Sequence, residues 1–261
     1  MDKDLLEKIM GQVSNELGID QKDTECCSSK GCKKVDVTEF VGTAIGDTIG
    51  LVIASVDPML VDKLNLGKYK SIGIIGSRTG AGPQIMAVDD AVKATNTEVI
   101  TVELPRDTKG GAGHGCLIYI GADDVSDARR AVEIALDVLP KYFGDVYSND
   151  AGHLEFQYTA RASYCLEKAF GTPNGKSFGM VIGAPAGIGT VLADVAVKAA
   201  NIEVVGYASP GQGTSFSNEV ILTFTGDSGA VRQAVKSAIE VGKKLLGALG
   251  EDPKSTTSPY I

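Results

Sequence analysis

Little in this chain of 261 residues is suited to acid–base or metal chemistry. Tryptophan is absent, aromatic residues make up 6% of the chain, and there are two histidines, His114 and His153. Neither histidine belongs to an HxxxH, HxH or HExxH pattern, which argues against a histidine-based metal site. No G-x-S-x-G elbow or Walker loop occurs either. The sequence therefore predicts no catalytic residue, no metal and no cofactor.

Long apolar runs and basic clusters are also missing. No segment approaches the roughly 20 apolar residues that a membrane span needs. The N-terminus has neither the basic flank nor the continuous apolar core of a secretory signal. A net charge of −8 would repel a phosphate backbone. We therefore expect a cytoplasmic protein that binds neither membranes nor nucleic acid.

Cysteine is sparse, with five residues in two kinds of surroundings. Cys116 and Cys165 sit among apolar or small residues, which predicts buried thiols. Cys26, Cys27 and Cys32 fall in a polar stretch, and their spacing matches no common zinc or iron–sulfur pattern. We predict a flexible linker with reduced thiols there; a metal or cluster site is the alternative.

The sequence contains an internal repeat. Residues 91–99 are identical to residues 196–204 at seven of nine positions, and residues 70–75 resemble residues 176–181. Such self-similarity indicates two copies of one structural unit. The boundary between the copies is predicted near Asp150.

Each copy has the pattern strand, helix, strand, strand, helix. This order favours an α+β fold in which helices cover one face of a mainly antiparallel sheet. Asp124 or Ser126, and Ser228, are candidate N-caps of the last helix in each copy. The predicted strands are residues 71–76, 98–104 and 115–120 in the first copy and 178–183, 203–208 and 219–224 in the second. The last helices are predicted at 124–139 and 229–249.

The two ends of the chain differ from the repeats. Residues 2–18 place apolar side chains on one helical stripe. The last residues are rich in Pro, Ser and Thr and are expected to be poorly ordered. We therefore divide the chain into an N-terminal helix with a flexible linker, two domains and a flexible tail, at residues 1–34, 35–150, 151–250 and 251–261.

Two pairs of loops recur in both copies. The glycine-rich segments 76–82 and 183–189 lack the lysine of a phosphate-binding loop, so tight turns are favoured over nucleotide binding. Residues 105–114 and 209–217 are polar and lie between strands. Both an ordinary surface turn and a functional loop are compatible with these residues.

The second copy contains two segments with a familiar pattern. Residues 178–207, with Ala-Asp-Val-Ala-Val-Lys-Ala-Ala-Asn at 193–201, and residues 226–232, Gly-Asp-Ser-Gly-Ala-Val-Arg, resemble the signature of bacterial microcompartment shell domains. The first copy follows it more loosely, because residues 100–103, Ile-Thr-Val-Glu, replace the Val-Gly-Tyr step. The resemblance covers about residues 36–250. Residues 39–50 and 78–86 resemble the tandem-domain shell proteins of propanediol utilisation.

This resemblance implies a fold and an assembly. Members of the tandem branch carry two circularly permuted, ferredoxin-like domains, in which residues 35–66 and 154–170 would open the copies. They form homotrimers that imitate a hexamer and join other shell proteins edge to edge. Lys93 and Lys198 match the lysine that reaches across this edge; two solvated surface lysines are the alternative. The implied role is a structural shell subunit, not an enzyme, in a compartment for propanediol, glycerol or ethanol.

The resemblance also implies pores for small polar metabolites. Related tandem proteins bind small alcohols in a channel between their two domains. Asp47 and Glu103 are the first candidates to accept hydroxyl groups there, followed by Ser77, Arg78, Ser209 and Thr214; Asp47 and Glu103 could equally be exposed rim charges. The implied pore-loop residues are Arg106, Asp107, Lys109, Gly110, Gly111, Gly113, His114, Pro210, Gly211, Gln212 and Gly213.

Two rival functions are compatible with the same residues. One is a soluble trimeric module that senses a ligand between subunits. The other is an enzyme whose site is assembled at a trimer interface. Flat arrays or rolled tubes in electron microscopy would favour the shell subunit over both.

The apolar stripe of residues 2–18 suggests a helix that docks on an encapsulated enzyme, with capping of its own trimer as the alternative. Deleting residues 1–34 should lower the amount of enzyme that copurifies with shells, because the apolar docking face is lost. The measurement is the enzyme-to-shell ratio of purified compartments. An unchanged ratio in shells of normal yield would count against docking.

Overall fold

The structure is a computed structural model that describes residues 35–106 and 114–261. Residues 38–261 form the unit presented below. The predicted N-terminal helix, the three linker cysteines and the tip of the first polar loop lie outside the described residues. Among the described helices, none has the length and apolarity that a membrane span requires.

The first half is a five-stranded antiparallel sheet with three helices. The strands are β1 (Phe40–Ala44), β2 (Thr48–Ile53), β3 (Ser71–Ser77), β4 (Glu98–Glu103) and β5 (Cys116–Ala122). The helices are α1 (Pro58–Val61), α2 (Gly82–Ala94) and α3 (Val125–Tyr142). The strand order is β1-β2-β3-β5-β4. Helices α2 and α3 pack against each other, and α3 lies on β1, β2 and β3.

The second half repeats this arrangement and adds one short edge strand. The strands are β6 (Val146–Asn149), β7 (Gly152–Thr159), β8 (Phe178–Ala184), β9 (Ile202–Ala208), β10 (Val220–Gly226) and β11 (Lys254–Ser255). The sheet has the order β11-β6-β7-β8-β10-β9, and all its pairs are antiparallel. The helices are α4 (Tyr164–Phe170), α5 (Ala186–Ala199) and α6 (Ser228–Gly247).

The predicted α+β repeat is therefore confirmed, with three adjustments. A two-stranded hairpin and a short helix precede the repeated motif in each half, as β1, β2 and α1 and as β6, β7 and α4. The second sheet begins at Val146, before the predicted boundary near Asp150, because β6 pairs with β7. The N-cap of α6 is Asp227 rather than Ser228, since its carboxylate accepts the backbone N–H groups of Gly229 and Ala230. Asp124 is the N-cap of α3, as predicted.

The hydrophobic core runs from one half into the other. Ile85 and Ile118 of the first half belong to the same buried cluster as Phe178 and Met180 of the second. Helix α4 contributes to this continuity because it packs on α2 and β4 of the first half. Cys165 on α4 is buried, and Cys116 is also buried, as the sequence predicted.

The C-terminal tail is more ordered than its composition suggests. β11 pairs with β6, and the backbone N–H groups of Tyr260 and Ile261 donate to the Asp145 carboxylate at 3.0 and 3.1 Å. The Tyr260 hydroxyl donates to the carbonyl of Tyr158 at 3.0 Å. The expectation of a flexible tail at 251–261 therefore does not hold for residues 254–261. Specific hydrogen bonds to the second half stabilise a segment that is polar in sequence.

The glycines of the segment 183–189 serve a close approach between β8 and α5. A Cβ atom on Gly189 would lie 2.6 Å from the Gly183 carbonyl oxygen and 2.8 Å from the Cβ of Val220. A Cβ atom on Gly187, in the same helix, would meet nothing within 4 Å. Contact between the helix and strand backbones thus requires glycine at 189 but not at 187.

Gly189→Ala should lower the free energy of unfolding by about 1–3 kcal/mol, because the added methyl forces α5 away from β8. Gly187→Ala is the matched control and should be neutral or stabilising by up to about 1 kcal/mol through its helix propensity. Urea unfolding at one protein concentration, followed by circular dichroism, measures both. Equal destabilisation by the two changes would contradict the close-approach explanation.

Candidate functional site

A cleft of about 610 Å³ opens between the two halves. The first half contributes the β1–β2 turn at residues 45–47 and the β3–α2 turn at residues 79–80. The second half contributes the β6–β7 hairpin and residues 217–218, which precede β10. The polar side chains of the lining include Asp47, Asn149, Asp150, His153, Glu155 and Asn218. The cleft thus offers hydrogen-bond donors and acceptors from both halves.

Asp47 is held at the rim of the cleft by the tight β1–β2 turn. Gly46 and Asp47 both adopt left-handed backbone conformations, with φ of 77° and 49°. Aspartate tolerates this conformation better than most residues do. The Thr79 hydroxyl donates to the Asp47 carboxylate at 3.5 Å, and the carboxylate is exposed. Asp47 can therefore accept a further hydrogen bond from a molecule in the cleft.

Below the cleft, both histidines of the chain meet one carboxylate. His114 Nδ1 lies 3.4 Å from one oxygen of Glu219, and His153 Nε2 lies 3.4 Å from the other. His114 comes from the first half, whereas His153 and Glu219 come from the second. A small cavity of about 40 Å³ at this cluster shares Gly80, His153 and Glu155 with the larger cleft. The cluster therefore forms the polar floor between the halves.

The two buried glutamates of this floor, Glu155 and Glu219, have different protonation states. Burial and the nearby Glu219 raise the pKa of Glu155 to about 8, although a hydrogen bond from Gln157 Nε2 at 3.3 Å opposes this shift. Burial alone would raise the pKa of Glu219 as well, but the two imidazoles lower it to about 2. At neutral pH, Glu155 is therefore mostly a neutral donor and Glu219 a negatively charged acceptor.

One polar atom of the floor is left without a partner. His153 is almost fully buried and lines both cavities, and its Nδ1 has no hydrogen-bond partner among the described residues. Buried polar atoms are normally paired with protein or water, so this nitrogen is an exception among the buried polar atoms of the floor. Within the described ranges, no group of three or more His, Cys, Asp or Glu side chains is arranged to hold a metal ion.

Of the residues predicted to bind hydroxyl groups, only Asp47 lines the cleft. Ser77 donates its hydroxyl to the Gly80 carbonyl at 3.0 Å, and Arg78 is exposed beside it. Glu103 is exposed at the end of β4, with Arg106 just beyond. Ser77, Arg78 and Glu103 are not among the described residues that line either cavity.

The second polar loop, residues 209–217, is closed by its own hydrogen bonds. The N–H of Ser209 donates to the Gln212 carbonyl at 2.6 Å, and the N–H of Gln212 donates back at 2.8 Å. Thr214 is fully buried and its hydroxyl donates to the Ser217 carbonyl at 3.3 Å. Thr214 therefore stabilises the loop. Pro210, Gly211 and Gly213 complete the turn.

In the first polar loop, Arg106 and His114 are described at the two ends. Asp107, Lys109, Gly110, Gly111 and Gly113 lie outside the described residues.

The two edge lysines differ in their surroundings. Lys93 contacts Asp89 at 2.5 Å and Asp90 at 3.7 Å, and its side chain is partly buried. Lys198 contacts Asp194 at 2.7 Å in an exposed ion pair. Both lysines are thus at the surface, but only Lys198 is extensively solvated.

Sequence reasoning missed His153, Glu155 and Glu219 as site residues. Glu155 and Gln157 alternate with apolar residues along β7, which is the pattern of a strand with one solvated face. In the structure residues 153–157 are all buried. The signal was a histidine and a carboxylate two residues apart on the polar face of this strand, but their burial depends on the opposing half.

The chain matches the family model described as the BMC domain twice, over residues 71–150 and 177–250. It is 65% identical over 230 residues to the bacterial microcompartment shell protein PduB of Citrobacter freundii, which covers 88% of this chain and 85% of that protein. It is 58% identical to PduB of Limosilactobacillus reuteri, covering 86% of this chain and 95% of that protein.

Solved structures give the same result. The crystal structure of a trimeric PduB shell protein matches with a TM-score of 0.84 and 57% identity, over 86% of this chain and 100% of the other. EtuB from Clostridium kluyveri matches with a TM-score of 0.84 and 57% identity, over 86% and 99% of the two chains. The chain therefore belongs to the family of bacterial microcompartment shell proteins, and it is a structural subunit of such a shell rather than an enzyme.

Proposed function

We propose that the chain forms a trimeric shell tile and that the cleft between its halves binds small polyols as they pass through. The trimer is supported by the solved trimeric relative, which superimposes over its whole length. Three chains of two like halves supply six halves, so the trimer imitates a hexamer. Such a plate has six similar edges that join other shell proteins.

The observation that carries the polyol proposal is the polar lining that Asp47, His153 and Glu155 give to the cleft between the halves. The cleft volume, about 610 Å³, is within the ~300–1,000 Å³ range of small-molecule sites. A small polyol could pair with these side chains without bringing charge into the floor.

The cleft supplies complementary partners for adjacent hydroxyl groups. The Asp47 carboxylate accepts a hydroxyl proton, and the neutral carboxyl of Glu155 can donate to a hydroxyl oxygen. Passage requires binding that is favourable but weak, so that the molecule can leave again. A few hydrogen bonds in an open cleft satisfy this condition, whereas an enclosed apolar pocket would not.

Two finer assignments belong to the same proposal. The loops 105–114 and 209–217 would face the axis of the trimer and bound a central pore. Residues 2–18 would dock on an encapsulated enzyme. The first loop joins β4 to β5, and the second joins β9 to β10. The two loops therefore lie at the same place in their halves, as the two halves of one ring would require.

Asp47→Asn should weaken the binding of glycerol or 1,2-propanediol about five- to tenfold, because a charge-assisted hydrogen bond becomes a neutral one. Asparagine also tolerates the left-handed backbone at this position. Isothermal titration calorimetry measures the affinity, and Glu103→Gln serves as the matched control outside the cleft. Loss of binding in Glu103→Gln with normal binding in Asp47→Asn would move the site away from the cleft.

Glu155→Gln should remove a pH dependence of stability. The folded protein keeps the Glu155 proton up to about pH 8, whereas the unfolded chain releases it near the ordinary value of 4.5. The free energy of unfolding contributed by this group therefore falls as the pH rises between these values, by at most about 1.4 kcal/mol per pH unit.

Urea unfolding at pH 5, 6, 7 and 8 and one protein concentration measures the slope. The Glu155→Gln protein should show a flatter profile than the parent. Glu251→Gln, a change of an exposed carboxylate, should keep the parent profile. Parallel profiles for the parent and Glu155→Gln would show that Glu155 is not a buried neutral acid.

A further inference from the structure

The rim of the cleft carries one exposed carboxylate from each half. Asp47 lies in the turn between β1 and β2, and Asp150 lies in the turn between β6 and β7. Both residues line the cleft, and both are exposed. These hairpins open their respective halves, so the repeat places a carboxylate at the same turn in each half. Because exposed carboxylates are ionised at neutral pH, the rim carries two negative charges.

The turn that carries Asp150 is held by the side chain of Asn149. The Asn149 Oδ1 accepts the backbone N–H groups of the two residues that follow Asp150, at 2.9 and 3.2 Å. Its Nδ2 donates to the backbone carbonyls of Leu246, near the end of α6, and of Glu251, at 3.1 and 2.8 Å. These hydrogen bonds fix the turn internally and against the C-terminal part of the chain. The backbone of Asp150 is therefore held at the rim.

The turn that carries Asp47 is held by a buried threonine. The Thr48 hydroxyl donates to the Ile45 carbonyl at 2.7 Å and accepts a hydrogen bond from Gln84 Nε2 at 2.9 Å. Both Thr48 and Gln84 are buried, so water does not compete for these hydrogen bonds. The two rim carboxylates are thus presented by turns that hydrogen bonds keep in place.

The described lining of the cleft contains no lysine or arginine that could offset these charges. Its basic side chain, His153, already faces a carboxylate, because Nε2 lies 3.4 Å from Glu219 in the floor. A cleft lined by charges of one sign focuses its field on a molecule that enters. The field at the rim is therefore negative.

We propose that Asp47 and Asp150 act together as a charge filter, so that the cleft admits uncharged and cationic polyols and excludes anionic ones such as hydroxy acids and polyol phosphates. The inference rests on the proposed polyol site and adds the chemical class that this site accepts. An anion at the rim is repelled by two carboxylates and gains no salt bridge to a lysine or arginine of the described lining. An uncharged polyol is not repelled, and its hydroxyl groups can donate to both carboxylates.

Three ligands of similar size and different charge test the filter: glycerol, glycerate and 3-amino-1,2-propanediol. Isothermal titration calorimetry with the full chain at neutral pH and low salt measures their dissociation constants. The value for glycerate should be at least about tenfold higher than that for glycerol, because like charges repel. The ammonium ligand should bind at least as tightly as glycerol. Glycerate that binds as tightly as glycerol, or an ammonium ligand that binds more weakly, would overturn the filter.

Salt tests whether the discrimination is electrostatic. The ratio of the glycerate and glycerol dissociation constants should fall as the salt concentration rises from about 10 mM to about 100 mM, since the screening length shortens from about 30 Å to about 10 Å. A ratio that is the same at both concentrations would contradict a filter made of exposed charges.

Substitutions test the two named residues. Asp150→Asn keeps the size of the side chain and should lower the glycerate-to-glycerol ratio about threefold or more, and Asp47→Asn should lower it further when the two are combined. Glu240→Gln is the matched control, because it removes the same charge from an exposed position on α6 outside the described lining. It should keep the parent ratio, and circular dichroism verifies that each variant is folded. An equal fall in Glu240→Gln would assign the discrimination to net charge and overturn the role of the rim.

The outcomes separate this inference from the polyol proposal. A parent protein that binds none of the three ligands would overturn the polyol site itself. Glycerol binding without discrimination against glycerate would overturn the charge filter and leave the polyol site intact.

Discussion

The contact between α4 and the α2–β4 groove holds the rest of the structure in place. It joins two sheets that have no strand pairing with each other, and it does so by burying apolar side chains and satisfying the N-cap of α4 with Asp89. Burial of apolar surface is the main source of folding free energy, and the paired Asp89 keeps the cost of a buried charge low. The cleft exists because this contact fixes one half against the other.

The same contact explains why polar side chains cluster between the two halves. A protein core excludes unpaired charges, but the space between two halves can hold a small network when each member has a partner. Glu219 remains ionised between two histidines, whereas Glu155 avoids a second negative charge by keeping its proton. The proposed passage for neutral polar molecules is compatible with such a floor, because the lining offers hydrogen-bond donors and acceptors.

The repeat, the fold class and several boundaries could be predicted from the sequence because they depend on local patterns. The strand at 71–77 and the N-cap Asp124 follow from alternation and capping preferences that act over a few residues. Asp47 was predicted by resemblance and does line the cleft, whereas Glu103 was predicted in the same way and is exposed elsewhere. Strand pairing over long sequence separations decides which of two such carboxylates lies at the cleft, and no local sequence pattern predicts that pairing.

By itself, the sequence determined that this protein consists of two copies of one α+β unit and that it belongs to a family of shell proteins. Both conclusions depend on repeated residues and short motifs, which are properties of the chain. Only the tertiary structure decided in which copy the surface between the helix and the neighbouring strand is buried and in which it is exposed to solvent. Val99 and Val204 occupy equivalent positions in nearly identical segments, yet one is buried and the other exposed. The difference arises because α4 covers the α2–β4 groove of the first half, whereas none of the described residues covers the equivalent α5–β9 surface of the second half.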